Sequence, residues 1–206
     1  TYYRREGFLD ARVGYRLDFD PIKRADVNLV FVIEEGPRYR IKEIAVEGNE
    51  VFADERVTGV MRLGPGNFAR QEVLDADVKS VRDLYGELGY VDTGVETRFD
   101  FLEEPGVVNL RYGIEEGSQS RIGRITIRGN RQTRDEVVRR ELRFYPGELF
   151  NTVELDKAER RVLETNLFRQ EEVSITPLED IAGYREALVR VEETETTQFL
   201  IGFGVS

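Results

Sequence analysis

The residues best suited to chemistry in this chain are carboxylates in adjacent pairs: Glu34-Glu35, Glu103-Glu104, Glu115-Glu116 and Glu192-Glu193. Neighbouring carboxylates push each other's pKa values apart, which suits general acid–base work, and their oxygens suit a hard cation such as calcium. Most of these pairs recur at one place, the end of a predicted strand, so a solvated strand end accounts for them with a single structural explanation. There is no histidine and no cysteine, which removes Ser-His and Cys-His nucleophile pairs and most zinc sites. Gly64-Pro65-Gly66 is glycine-rich but lacks the Gly-Lys-Ser/Thr that completes a phosphate loop. The residues therefore point to no catalytic, cofactor-binding or metal site, no cofactor, and no enzyme.

Composition narrows the partners. The 206 residues carry a formal charge of −10, and 40% of them are hydrophobic. That is enough apolar matter for packed cores, too much charge for a membrane-embedded helical bundle, and too much hydrophobicity for disorder. The 30 basic residues are scattered, apart from Arg139-Arg140 and Arg160-Arg161. Both pairs fall on predicted helices, where a solvated face is the expected setting. Nucleic acid is excluded as a partner, because a phosphate backbone needs clustered Lys and Arg. Without cysteine the redox compartment cannot be read. No signal peptide or long apolar run is present, and a start at Thr1 without methionine reads as a fragment.

What must position these residues is a repeat. Glu34-Glu35-Gly36, Arg40-Ile41, Ile44, Val46 and Gly48-Asn49 return in order as Glu115-Glu116-Gly117, Arg121-Ile122, Ile125, Ile127 and Gly129-Asn130. From the Arg-Ile start onward the two copies lie 81 residues apart. A fixed long period signals an array of small modules. In the first full copy, Tyr39 to Glu47 reads as a strand and Gly48-Asn49 as a turn. A short helix from Asp54 to Arg62 follows. A longer helix from Arg70 has an apolar stripe of Leu74, Val78, Val81, Tyr85 and Leu88. The strands Val95 to Leu102 and Val107 to Glu115 are joined through Glu104-Pro105-Gly106, and Val108, Leu110, Tyr112 and Ile114 alternate.

The second copy repeats this β-α-α-β-β order. Thr133-Arg134-Asp135-Glu136 has the form of a capping box. Leu167-Phe168 stands where Gly89-Tyr90 stood, so the second helix is about one turn shorter. The hairpin is Glu172 to Leu178 and Ala187 to Glu193. Residues 1–37 fit only the second half of a unit, with Val27, Leu29, Phe31 and Ile33 alternating. The expected division is a half module over 1–37, whole modules over 38–117 and 118–195, and a separate segment over 196–206. In that last segment Phe199, Ile201, Phe203 and Val205 share one face, and small residues fill most of the other. The pattern suits a transmembrane β-barrel strand with lipid outside and lumen inside, and equally a buried strand of a soluble sheet.

The repeated start, the β-α-α-β-β order and the Gly202-Phe203-Gly204 ending resemble the polypeptide-transport-associated (POTRA) domains of BamA-type outer-membrane protein assembly factors of Gram-negative bacteria. The motifs of the last module carry the resemblance furthest: Ile122-Gly-Arg-Ile125-x-Ile127-Arg-Gly129-Asn130, Val138-Arg139-Arg140-Glu141-Leu142, Pro146-Gly147, and Gln198-Phe199 through Gly204. The resemblance implies an α+β fold in which each module is a three-stranded mixed sheet covered by two helices. It implies a periplasmic location and attachment to the outer membrane through a barrel whose first strand starts over 196–206, with Phe199, Ile201, Phe203 and Val205 in it. It also implies two kinds of protein partner. Unfolded outer-membrane protein clients would add as strands to an edge, at Val95, Thr97, Phe99 and Phe101 or at Val173 and Ile175. Accessory assembly lipoproteins would dock at Arg139, Arg140, Glu141 and Arg143. Charges that would blunt the edges are Arg98 and Asp100 in the first, and Glu171 and Glu172 before the second. Other readings of such an array are the POTRA region of a related pore (TamA-like, two-partner secretion or organelle import) and a soluble periplasmic peptide-binding chaperone.

Overall fold

The computed structural model describes residues 2–19 and 27–194. They form two compact units, Thr1–Leu84 with Thr93–Glu116, and Tyr85–Asp92 with Gly117–Ser206. The first unit opens with one helical turn, α1 (Tyr2–Arg5), and a hairpin of β1 (Arg12–Phe19) and β2 (Val27–Glu34). Pairing of Val13 with Ile33, Tyr15 with Phe31, Leu17 with Leu29 and Phe19 with Val27 puts eight apolar side chains on one face of that hairpin. They remain 44–71% exposed.

The rest of the first unit runs β3 (Arg40–Glu47), α2 (Asp54–Thr58), α3 (Gln71–Gly86), β4 (Gly94–Phe101) and β5 (Val107–Glu115). The sheet order is β3-β5-β4. β3 is parallel to β5, and β4 is antiparallel to it. The alternating residues of β5 explain its central place: Val108, Leu110, Tyr112 and Ile114 are all buried. Such a mixed sheet with helices packed against it is the α+β fold that the resemblance implied.

The helices depart from expectation in one instructive way. α2 ends at Thr58 rather than reaching Arg62, and α3 buries Leu74, Asp77, Val81, Leu84 and Tyr85, while Leu88 lies beyond the helix and is exposed. A fully buried carboxylate stands in the apolar stripe because the shortened α2 leaves backbone amides to satisfy. Asp77 accepts the N–H of Arg62 at 2.7 Å and that of Leu63 at 2.9 Å. Charge-assisted bonds of this kind stabilise by about 1.5–3 kcal/mol each, and a buried amide left without its acceptor costs more than a missing contact. Asp77→Ala is therefore expected to destabilise the first unit by about 3 kcal/mol, read as a lower urea midpoint at unchanged slope.

The second unit repeats the order with β6 (Arg121–Arg128), α4 (Asp135–Leu142), α5 (Thr152–Glu164), a 3-10 turn (Gln170–Glu172), β7 (Ser174–Ile181) and β8 (Tyr184–Arg190). The sheet order is β6-β8-β7, with β8 parallel to β6 and antiparallel to β7. Its core joins Ile122, Val138, Leu142, Phe150, Leu155, Ala158, Val162 and Val189. The capping box is not made. Arg134, not Thr133, is the residue before α4, and no side chain caps there. Instead Asn130 Nδ2 donates to Thr133 O at 3.0 Å and to Asp135 Oδ1 at 2.8 Å, holding the turn onto the helix start. α5 carries a side-chain cap of its own, Asn151 Oδ1 accepting the Glu154 N–H at 2.9 Å.

Candidate functional site

Two of the four carboxylate pairs each supply a fastener. Glu116 Oε1 accepts the Val51 N–H at 2.8 Å, and Glu193 accepts those of Gln132 at 2.8 Å and Thr133 at 2.6 Å. Each is the second glutamate of its pair, and each ties the end of a central strand to the loop after a Gly-Asn turn. The asparagines match this: Asn49 Nδ2 donates to Phe52 O and Asp54 Oδ1 as Asn130 does to Thr133 O and Asp135 Oδ1. Gly48 and Gly129 are obligatory, because a Cβ on either would lie 2.2 Å from Ile114 O or 1.7 Å from Val191 O. Among the described residues no group of three or more carboxylates is placed to hold a metal ion.

Backbone amides of the 131–133 turn hold the Glu193 carboxyl below the usual carboxylate range, Thr133 first, against an opposing desolvation. A carboxyl lowered by folding stabilises above its unfolded pKa, and that stabilisation is lost as pH falls through the folded value. Acid titration of the second unit should therefore lose stability on the acid side of the ordinary glutamate range. Glu193→Gln should flatten that part of the profile, as measured by urea midpoints at successive pH values.

The strand edges are the surfaces with free bonding capacity, and the two second strands are not alike. Along β4 the pairing with β5 is unbroken from Gly94 to Phe101, and Leu102 N–H bonds back to Val107 O at 3.3 Å. In an antiparallel ladder bonded and non-bonded residues alternate. The even-numbered residues thus bond to β5, while Val95, Thr97, Phe99 and Phe101 turn their N–H and C=O groups outward. Of the two expected blunting charges, Asp100 is diverted and Arg98 remains exposed. Arg111 donates to Asp100 at 2.9 Å and to Glu47 at 2.6 Å, so Asp100 is tied across the sheet face instead of standing on the edge.

In β7 the same outward positions are closed. The Ile175 N–H is donated to Glu159 of α5. Pro177, two residues on, has no N–H to offer, and the register then breaks between Pro177 and Asp180. A proline, a bulge and a side chain covering a free amide are all devices that stop an edge from accepting another strand. The first strands are also partly occupied. Ile41 N–H bonds to Asn67 O at 2.9 Å and Gly66 N–H to Ile41 O at 2.7 Å. Ile122 and Gly147 make the matching bonds, to Glu148 O at 2.8 Å and Ile122 O at 2.7 Å. Of the edges expected from sequence, the structure leaves Val95, Thr97, Phe99 and Phe101 open and closes the one containing Val173 and Ile175. The side chain of Glu171 lies outside the described residues.

The expected docking residues on α4 do not form a single charged patch. Arg139 donates to Ile125 O at 3.2 Å and lies 3.8 Å from Asp135. Arg140 pairs with Glu141 at 3.0 Å, not with Glu136 at i−4. Glu141 is largely covered, and Arg143 ends the helix in a left-handed conformation, φ 55°. Nor is Arg160-Arg161 simply a solvated pair. Arg161 donates to the carbonyls of Glu141 at 2.7 Å and Leu142 at 2.8 Å, closing the C-terminus of α4. The expected barrel-strand residues Phe199, Ile201, Phe203 and Val205 lie outside the described residues.

Repeated β-α-α-β-β modules with a central third strand and a Gly-Asn fastener define a class of tandem module. The chain belongs to the POTRA family: a family model described as surface antigen variable number repeat matches residues 39–117 and 120–198. It is 29% identical over 213 residues to the outer membrane protein assembly factor BamA of Nitratidesulfovibrio vulgaris, covering all of this chain and 26% of that protein. It is 28% identical over 182 residues to BamA of Neisseria meningitidis, covering 86% of this chain and 22% of that one. The chain thus spans about a quarter of the length of these relatives. Among solved structures it resembles POTRA domains 3–5 of Haemophilus influenzae BamA, with TM-score 0.74 and 19% identity, over 93% of this chain and 76% of that one. That likeness supports the fold.

Proposed function

We propose that this chain is the periplasmic POTRA region of a BamA-like outer-membrane protein assembly factor, and that it receives unfolded client segments as an added strand on β4. Relatives named as assembly factors, similar along the whole chain, support the first part. The observation that carries the second is the unbroken β4 edge, with outward N–H and C=O groups at Val95, Thr97, Phe99 and Phe101. Main-chain bonding suits a factor that handles many sequences, because the backbone is common to all of them. On this reading residues 1–37 are the second half of one module, 38–117 and 118–195 are whole modules, and 196–206 begin the first barrel strand. The region works as a scaffold without catalysis or cofactor. Accessory lipoproteins dock at Arg139, Arg140, Glu141 and Arg143, of which the three arginines are exposed.

Two experiments test this. The full reading frame should continue into alternating segments of about ten residues separated by turns, as a barrel requires; a frame that stops near Ser206 contradicts membrane attachment. Crosslinking of unfolded outer-membrane protein to probes along β4 tests strand addition.

A further inference from the structure

The cleft at the far end of the β6-β8 sheet, about 690 Å³ in volume, is lined by Arg128, Arg131, Arg169 and Arg190 together with Glu172, Glu192 and Glu193. Two of the three acids are already committed. Glu192 pairs with Arg169 at 2.7 Å, and Glu193 is bound by the amides of Gln132 and Thr133. Arg128 and Arg190 are register partners on adjacent parallel strands, and Arg131 follows on the Gly-Asn turn. All three are exposed. Among the described residues no carboxylate pairs with any of them.

The repeat supplies an internal control. Arg128 and Arg131 correspond to Glu47 and Glu50 of the preceding copy, and the partner of Glu47 on β5 is Gly113 where Arg128 faces Arg190. The matching cleft there is lined by Glu47, Glu96 and Glu115 and by no arginine. The fold therefore does not need arginine at this place. The same corner of the module is acidic in one copy and basic in the next, within a chain whose net charge is −10.

We propose that this arginine cleft binds the phosphate groups of an anionic phospholipid surface. The inference rests on the proposed attachment of the chain to a membrane, because the cleft includes Thr194, the last described residue before the proposed barrel strand. Guanidinium groups match phosphate oxygens in a bidentate way and are weakly hydrated, so they release water readily to do so. A cluster of basic residues next to a membrane attachment point binds anionic headgroups, at about 1 kcal/mol per residue. A chain this acidic overall is repelled by a negative surface, so any binding to one must come from a local basic patch.

The test is sedimentation of the 206-residue chain with vesicles of phosphatidylcholine alone or with about one part in three phosphatidylglycerol, at low salt. The chain is expected to bind the anionic vesicles and not the neutral ones. Combined Arg128→Gln, Arg131→Gln and Arg190→Gln should weaken binding about 100-fold. The corresponding triple Arg→Lys variant, which keeps the charge but loses the bidentate fork, should bind between the parent and the Gln variant. Combined Arg12→Gln, Arg56→Gln and Arg82→Gln, which removes equal charge from the first unit, should leave binding unchanged. Equal binding to both vesicle types, no binding to either, or an equal loss in the control variant would overturn the proposal. An acidic protein surface as the true partner gives the second of these results. Client crosslinking to β4 is read separately, so failure here leaves that part of the proposed function standing.

Discussion

Gly129→Ala is expected to destabilise the second unit by about 4 kcal/mol or more, placing it among the most damaging single substitutions this fold can receive. The residue has φ 100°, where an L side chain is strained by about 1–3 kcal/mol, and its added Cβ would lie 1.7 Å from Val191 O. That oxygen belongs to backbone and cannot swing aside. Relief requires β6 to part from β8 where Val191 N–H bonds Arg128 O at 2.9 Å. The Asn130 and Glu193 fasteners sit on the same turn and would be displaced with it. Gly147 is the matched control. Its φ is 92° but nothing lies within 4 Å of an added Cβ, so Gly147→Ala should cost only about 1 kcal/mol of backbone strain. Urea unfolding followed by circular dichroism separates the two cases. A small, equal effect at both positions would show that the close approach at Gly129 is not rigid.

Thr97→Pro is expected to weaken binding of an unfolded outer-membrane protein segment at least tenfold while leaving the fold intact. It removes an outward amide from the middle of the β4 edge and places a ring where the added strand must lie. Since Thr97 N–H points away from β5, no ladder bond is lost. The chain contains its own precedent: Pro177 occupies an outward position of β7, one step along from Ile175. The converse substitutions, Glu159→Ala with Pro177→Thr, free the Ile175 amide and restore the missing donor. They are expected to raise client binding at β7 from none to a measurable level. Equilibrium binding of a labelled client peptide to the parent and both variants decides this. Equal affinity for parent and Thr97→Pro would remove β4 from the account.

Much of this architecture was legible because its signals are periodic. The 81-residue offset gave the modules, alternation at Val108, Leu110, Tyr112 and Ile114 gave a strand with a buried face, and the resemblance gave the second strands as edges. What escaped was carried by polar side chains acting at a distance in sequence. Asp77 looks like an interruption of an apolar stripe until the amides of Arg62 and Leu63, 15 and 14 residues earlier in the chain, are seen to need it. Glu116 and Glu193 look like solvated strand ends until the loops beyond Gly48 and Gly129 fold back onto them. Thr133 looks like a helix cap, but Asn130 and Glu193 had already claimed that turn. At the edges, Pro177 inside a predicted strand was the one visible sign that β7 is closed. Its ally Glu159 lies on another element, and no local pattern reveals it. The hairpin of β1 and β2 was predicted from its match to the second half of a module and from alternation, and its eight paired apolar side chains are exposed.

The central claim is that unfolded outer-membrane protein is received on β4 and not on β7. Photo-crosslinking tests it most directly, with probes placed singly from Val95 to Leu102, from Val173 to Leu178, and on the exposed face of α3 at Lys79 and Arg82. The account predicts client crosslinks concentrated along Val95–Leu102, with the β7 probes no better than those on α3. Client crosslinks spread evenly over all three sets, or concentrated on β7, would contradict it.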